Sequence, residues 1–240
     1  MDSPVLPAFR LQNNLPVSQQ IYAFLRHHIT ELTIKPGTRL SENDLSAQFS
    51  VSRQPVREAI FRLKRQGLIE VYPQKGSFVT RISGRNIMET CFVRSSIEKA
   101  ALQRGMLTPD ADTKKIVAEL EDNLRQQHEL THDSTVADPD ALFLKQDNEF
   151  HQILCKLSGT KLAWEVIDDI KANLDRIRYL STKGVSRIEN IVGEHQQIFD
   201  LMTAGKVDEA MASLHDHLYE IAMTYRAIRA KNEEWFVPEA

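Results

Sequence analysis

From Ser83 to the C-terminus the sequence shows no strand-like alternation, and its apolar residues recur at helical spacing. A segment of this length and pattern has to bury its apolar stripes helix against helix. The spacing predicts six helices, at about 86–105, 110–131, 139–158, 161–181, 186–204 and 206–232. Thr108-Pro109, Asp138-Pro139, Ser158-Gly159 and Gly205 punctuate them. The loop over residues 132–138 is polar and is expected to be mobile.

The front of the chain has another texture. Val17, Ile21, Phe24, Leu25, Ile29 and Leu32 mark a first helix, and Ile34-Lys35-Pro36-Gly37 a turn. Thr38-Arg39-Leu40 is short and extended. Ser41 is placed to cap a helix over 42–49, with Asp44 in the capping-box position. Ser52 is placed to cap the next helix, which carries Pro55 in its first turn and ends near Gln66, before Gly67. Two strands, 68–72 and 77–82, then flank the turn Pro73 to Gly76. Helix, strand, helix, helix, strand, turn, strand is a winged helix-turn-helix order. The fold expected is mainly α: an N-terminal winged helix-turn-helix, with a small β-hairpin, and a C-terminal antiparallel all-α bundle. The expected division is a disordered tail over 1–16, a winged helix-turn-helix domain over 17–82, a linker over 83–88 and a helical domain over 89–236.

The helix VSRQPVREAIFRLKRQG is unusually basic, with Arg53, Arg57, Arg62, Lys64 and Arg65 against the single acid Glu58. Residues 1–83 hold 11 basic and 6 acidic residues, whereas residues 84–240 hold 19 and 27. A basic front on an acidic rear points to a polyanion touching only the front. Val56, Ala59, Ile60 and Leu63 form the helix's apolar stripe, and Arg53, Gln54 and Arg57 lie off it near its N-terminus. An α-helix fits the major groove, where Arg can bridge guanine O6 and N7, and Gln adenine N6 and N7. Ser52 and the positive end of the helix favour a phosphate. The hairpin turn Gln74-Lys75-Gly76 can approach a minor groove. The other reading of these residues is a solvated basic face.

No apolar run approaches the roughly 18 residues of a membrane span, so no membrane partner is expected. The N-terminus lacks the basic start and apolar stretch of a signal peptide. Cys91 and Cys155 make no disulfide framework, and together these features suggest the cytoplasm.

Several histidines of the rear segment stand where they could bind a metal. His128 and His132 are four apart, as are Glu129 and Asp133, but their surroundings are all polar and suit a solvated face. In QDNEFHQIL, Asp147 and His151 share one helix face beside Phe150, Ile153, Leu154 and Leu157. His195 lies beside Ile198 and Phe199, and His215 and His217 flank the stripe of the last helix on opposite sides. Three imidazoles and a carboxylate could hold a borderline divalent ion such as zinc or nickel. The residues alone do not choose between His215 and His217.

PGTRLSENDLSAQFSVSRQPVREAIFRLKRQGLIEVYPQKGSFV resembles the DNA-binding domain of the GntR family of bacterial transcription regulators. The resemblance implies DNA contacts at Asn43, Ser52, Arg53, Gln54, Arg57, Lys75 and Gly76. Some relatives have Arg where this chain has Asn43. VRSSIEKAA, DNEFHQIL, EHQQIFDLM and MASLHDHL resemble the FCD effector-binding domain of the FadR subfamily. QQIY, SRQPVREA and DRIRYLS resemble its RspR branch. The resemblance to the FCD domain, in whose metal-binding members an Asp and three His hold an ion, implies a metal held by Asp147, His151, His195 and His217, with Arg94 lining the effector pocket. Arg94 can also pair with Glu98, four residues on. Cys155, one turn past His151, fits core packing.

The function expected is a homodimeric regulator, a repressor, that reads a palindromic double-stranded operator and answers to a small carboxylate or sugar acid at a metal site. The hinge is expected near Ile82 to Asn86. Two alternatives stay open: a metal-dependent hydrolase or lyase in the rear domain, and a metal-free regulator with an apolar effector. Against the enzyme, Glu149 lies off the Asp147/His151 face, and no other general base is well placed.

Overall fold

Ile21, Leu25 and Ile29 recur every four positions, and the chain folds them into helix α1 (Val17–Thr30) with that face fully buried. The computed structural model describes residues 4, 6–12, 15–132, 136, 138–183 and 188–238. They divide into two units. The first takes residues 1–86, 169–176 and 231–240, and the second takes 87–168 and 177–230.

In the first unit, β1 (Arg39–Leu40) leads into α2 (Glu42–Phe49) and α3 (Arg53–Arg65), followed by β2 (Ile69–Tyr72) and β3 (Gly76–Val79). The sheet order is β1-β3-β2, antiparallel throughout, with Arg39 and Glu70 both opposite Phe78 and Tyr72 opposite Gly76. Ser41 Oγ accepts from Asp44 N and caps α2, a bond worth about 1 kcal/mol. Ser52 stands at the N-cap of α3 without making the side-chain bond expected of it. Gly67, at φ 70, follows the end of α3 in the left-handed conformation that ends helices. Leu25, Leu45, Val56, Leu63 and Val79 share one core.

Three features of this unit depart from the expected division. The tail is not free over residues 6–12. Phe9 lies 4.6 Å from Phe24 and 5.6 Å from Phe49, and Gln12 bonds Gln20 at 2.8 Å. Residues 1–3, 5, 13 and 14 lie outside the described residues. The segment 169–176, expected in the rear domain, packs here. Ala172 joins the core, Asn173 Nδ2 donates to Gly67 O at 3.3 Å, and Arg176 Nη2 donates to Thr80 O at 2.9 Å. The C-terminal stretch also belongs here. Ile82 N donates to Trp235 O at 2.8 Å and Val237 N to Ile82 O at 2.9 Å, burying Phe236.

The second unit holds helices and no strand among its described residues. It draws on α4 (Gly84–Leu107), α5 (Ala111–His132), α6 (Pro139–Lys156), α7 (Leu162–Ile170), α8 (Ala172–Thr182), α9 (Ile188–Thr203) and α10 (Val207–Lys231), of which the stretches 84–86, 169–170, 172–176 and 231 belong to the first unit. α4 starts inside the expected linker, and its residues from 87 on belong to this unit. The single helix expected over 161–181 is two helices broken at Lys171. The Lys171 ammonium is buried against Asp175 Oδ2 at 2.5 Å. No Gly or Pro signals that break. Most of the loop over 132–138 lies outside the described residues. Leu102, Leu124, Phe150, Leu154, Ile198, Met202 and Leu214 form the main core. Gly105 lets α4 approach α6 closely, since a Cβ there would stand 2.8 Å from Leu157 Cβ. No described helix is long and apolar enough to cross a membrane.

Candidate functional site

The first unit exposes the N-terminal end of α3. Val56, Ala59, Ile60 and Leu63 face the core, which turns Ser52, Arg53, Gln54 and Arg57 outward. Gln54 Nε2 donates to Glu58 Oε1 at 2.9 Å. Arg57 forks onto Glu42 at the start of α2, with Nη2 and Nε at 3.0 and 3.2 Å from Oε2. That fork holds the guanidinium in one orientation without burying it. Asn43, next to Glu42, is exposed, as is Lys75 in the wing turn.

Gly76 has a φ of 107, a conformation that side chains rarely adopt. A Cβ there would also lie 3.1 Å from Arg39 Nε. The Arg39 side chain therefore lies against the wing glycine, a placement that sequence reasoning did not single out. Its only trace in the sequence is a basic residue in the short strand before Ser41.

The second unit buries a different cluster. Asp147 and His151 come from α6, His195 from α9 and His217 from α10. Their ligand atoms all lie within 4.8 Å of one another. His217 Nε2 is 3.1 Å from His195 Nε2 and 3.2 Å from His151 Nε2. Asp147 Oδ2 is 3.8 Å from His151 Nε2, and Oδ1 is 3.7 Å from His195 Nε2. Phe150 stacks on the His195 ring at 4.2 Å and holds its plane. His215 points elsewhere. Its Nδ1 lies 3.2 Å from Ser95 Oγ and its ring 4.4 Å from Tyr219.

Each of the three convergent imidazoles has an oxygen at Nδ1. His151 meets Glu98 Oε2 at 2.6 Å, His195 meets Gln127 Oε1 at 2.8 Å, and His217 meets Glu194 Oε2 at 2.8 Å. Gln127 can only accept there, because its Nε2 donates to Asn123 Oδ1 at 2.7 Å and Asn123 Nδ2 donates to Gln146 O at 3.1 Å. With Nδ1–H donated outward, all three Nε2 lone pairs point inward. Three lone pairs at such distances repel unless a cation sits among them. Two nitrogens each about 2.05 Å from a tetrahedral ion stand about 3.3 Å apart, close to the spacing seen. The four residues therefore fit a metal ion. Burial, with His217 and His151 adding to it, holds the His195 pKa well below its usual value, so the ring is the neutral form a metal needs.

Two arginines adjoin the cluster. Arg94 is buried on α4, and its Nε donates to Glu98 Oε1 at 2.6 Å. Its Nη2 has no hydrogen-bond partner among the described residues. Arg178, on α8, ion-pairs with Asp147 Oδ2 and donates from Nη1 to Asn148 Oδ1 at 3.1 Å. Burial, then the nearby Arg94, pushes the Arg178 pKa down to about 9, which still leaves it charged at neutral pH. Sequence reasoning missed Gln127, Glu194 and Arg178, and named Glu98 only as a partner of Arg94. Cys155 packs among Ala163 and Ile167, and burial raises its pKa. His128 is exposed, with Nε2 3.3 Å from Gln196 Oε1, and Asp133 lies outside the described residues.

Residues 17–79 match the model for bacterial regulatory proteins of the gntR family, and residues 89–220 match the FCD domain. The HTH-type transcriptional repressor RspR of Escherichia coli K12 is 38% identical over 230 residues, which cover 96% of this chain and 98% of that protein. An uncharacterized HTH-type transcriptional regulator from Streptomyces ambofaciens is 35% identical, covering 92% of this chain and 90% of the other. The same fold occurs in E. coli McbR/YncC, with a TM-score of 0.69 at 20% identity, over 89% of this chain and 99% of that one. These likenesses identify a DNA-binding transcriptional regulator and not an enzyme. The chain belongs to the gntR family of bacterial regulatory proteins, with an FCD domain behind its winged helix-turn-helix.

Proposed function

We propose that this chain is a cytoplasmic, ligand-responsive repressor that binds a palindromic double-stranded operator as a homodimer. Residues 17–82 carry its DNA-binding domain, and the second unit, residues 87–168 and 177–230, is its effector and dimerisation domain. Its DNA affinity is set by a small carboxylate or sugar acid at a divalent metal, zinc or nickel, held by Asp147, His151, His195 and His217. The observation that carries this reading is the inward convergence of three Nε2 lone pairs whose Nδ1 atoms are all occupied. Imidazole and carboxylate donors suit a borderline ion. When bound, the ion supplies a Lewis-acidic position for an oxygen of the effector. Arg94 has a buried, unpartnered Nη2 to offer a carboxylate, as its charge and planar fork suit.

On the DNA side, Arg53, Gln54 and Arg57 read bases from the end of α3. Ser52 and Asn43 contact the DNA beside them, Lys75 and Gly76 in the wing turn approach a minor groove, and Arg39 adds a cation beside the wing. Exposed Met88 and Phe92 on α4 and Leu162 on α7 offer apolar area to a second copy. Two-fold symmetry then asks for two half-sites. The effector acts by favouring one placement of the paired DNA-binding domains, which requires unequal affinity for the two states. The name of the E. coli relative supports repression.

The test is thermal stability against a panel of small carboxylates and sugar acids, with and without prior metal stripping. A ligand at 100 times its dissociation constant stabilises by about 2.7 kcal/mol. A shift with one acid that vanishes on stripping is the expected result. Wild-type protein that holds no metal, and shifts equally with and without stripping, refutes the metal reading.

A further inference from the structure

The Glu98 carboxylate is completely buried, and its two oxygens serve two different groups. Oε1 accepts from Arg94 Nε and Oε2 accepts from His151 Nδ1, both at 2.6 Å. The acceptors on the other two histidines are not arranged this way. Gln127 is held by a neighbouring amide, and Glu194 is partly exposed. Among the described residues, only at His151 does a single anion join a metal-facing imidazole to an arginine with a buried N–H to spare.

We propose that Glu98 is a positioning residue that couples the metal site to the anion-binding arginine. This rests on the metal reading above and adds a regulatory link within the same site. The bond to Oε2 fixes His151 in the Nδ1–H tautomer and turns its Nε2 toward His217 Nε2. The bond to Oε1 holds Arg94 by Nε alone, so Nη2 stays available to a ligand oxygen. The two bonds compete for one negative charge. With His151 Nε2 committed to a cation, its ring is polarised and Nδ1–H donates more strongly to Oε2. Less of the carboxylate's charge then neutralises Arg94, and the arginine attracts an anion better. Metal and acid therefore favour each other, and the linkage is reciprocal. An acid that coordinates the metal directly gains this second contribution without touching Glu98.

The experiment uses the full-length, metal-stripped protein and Co²⁺ alone as the probe, with affinity read by chelator competition and geometry by visible absorption. The proteins compared are wild type, Glu98→Gln, Glu98→Asp, Arg94→Lys and the Glu98→Gln/Arg94→Lys double variant. Glu98→Gln should bind Co²⁺ about 10–100-fold more weakly, with an altered absorption spectrum of the bound ion. Arg94→Lys should change Co²⁺ affinity several-fold in the wild-type background and leave it unchanged in the Glu98→Gln background. Circular dichroism checks that each variant is folded. Where Glu98→Gln is not, Glu98→Asp takes its place, since it keeps the charge but is too short to reach both partners. Wild-type affinity and spectrum in a folded Glu98 variant overturn the proposal, as does an equal Arg94→Lys effect in both backgrounds. Failure of the metal reading looks different: wild-type protein and His217→Ala then both leave Co²⁺ with the chelator.

Discussion

Acidifying the metal-stripped protein from pH 7.5 to 5.0 should destabilise it through His195, by no more than about 2 kcal/mol. The His195 ring is fully buried, stacked on Phe150 and faced by two other imidazoles and two arginines. Its folded pKa lies well below 6.5, chiefly from burial. The unfolded chain therefore takes up a proton near pH 6.5 that the folded chain refuses. Stability from this group is complete above that pH and is lost as pH falls toward the folded pKa. Each pH unit below the unfolded pKa costs at most about 1.36 kcal/mol, so the 1.5 units down to pH 5.0 set a ceiling of about 2 kcal/mol. Glu98 and Asp140 work in the opposite sense, because their raised pKa values let the folded state take a proton first. Asp110 and Asp122, held below 3.8, act only in more acid solution. The clean measurement is therefore a difference: urea unfolding of wild type and His195→Gln, each metal-stripped, at several pH values between 7.5 and 5.0. The wild-type curve should fall below the variant's across the window, by no more than about 2 kcal/mol. Parallel curves would mean that His195 protonates as easily folded as unfolded, and the argument from its burial would be wrong.

Arg57→Ala should weaken binding to a duplex selected from a randomised library by about 1–3 kcal/mol, and Arg53→Ala similarly. Unchanged specific affinity in both, measured by fluorescence anisotropy, would remove α3 as the reading helix. His217→Ala should abolish tight zinc binding while His215→Ala keeps it, as read by metal content after dialysis. The reverse would move the fourth ligand to the residue beside Ser95. Gly105→Ala should lower the melting temperature although alanine favours a helix by about 1 kcal/mol. The new Cβ would stand 2.8 Å from Leu157 Cβ, and overpacking of this kind costs about 1–3 kcal/mol. A raised melting temperature would show that α4 and α6 separate easily.

Much of the fold is visible in local pattern. The stripe Val56, Ala59, Ile60, Leu63 is the buried face of α3, and Ser41 caps α2 where a Ser followed by Asp44 suggests it. The spacing of Asp147 and His151 puts both on one face of α6, and the apolar residues beside them make that face a buried one. The acceptors at Nδ1 are less legible. Glu98, Gln127 and Glu194 lie 53, 68 and 23 residues from their histidines, and no spacing rule spans such distances. Ser52 shows the opposite error: it has the right residue type at the right place, yet makes no capping bond.

By itself the sequence determined which residues form helices and strands, which face of each is apolar, and which histidines have apolar neighbours. These properties depend on residues within a turn or two of chain. The tertiary structure alone decided that residues 169–176 and the C-terminal stretch pack in the first unit, and that the chain breaks at Lys171, where its ammonium is buried against Asp175. It decided likewise that His217 and not His215 faces His151 and His195, and that Glu98 holds both Arg94 and His151. An apolar stripe requires burial but does not name its partner, and a carboxylate requires a counter-charge without specifying which. Those choices depend on how separate segments fill one another's space.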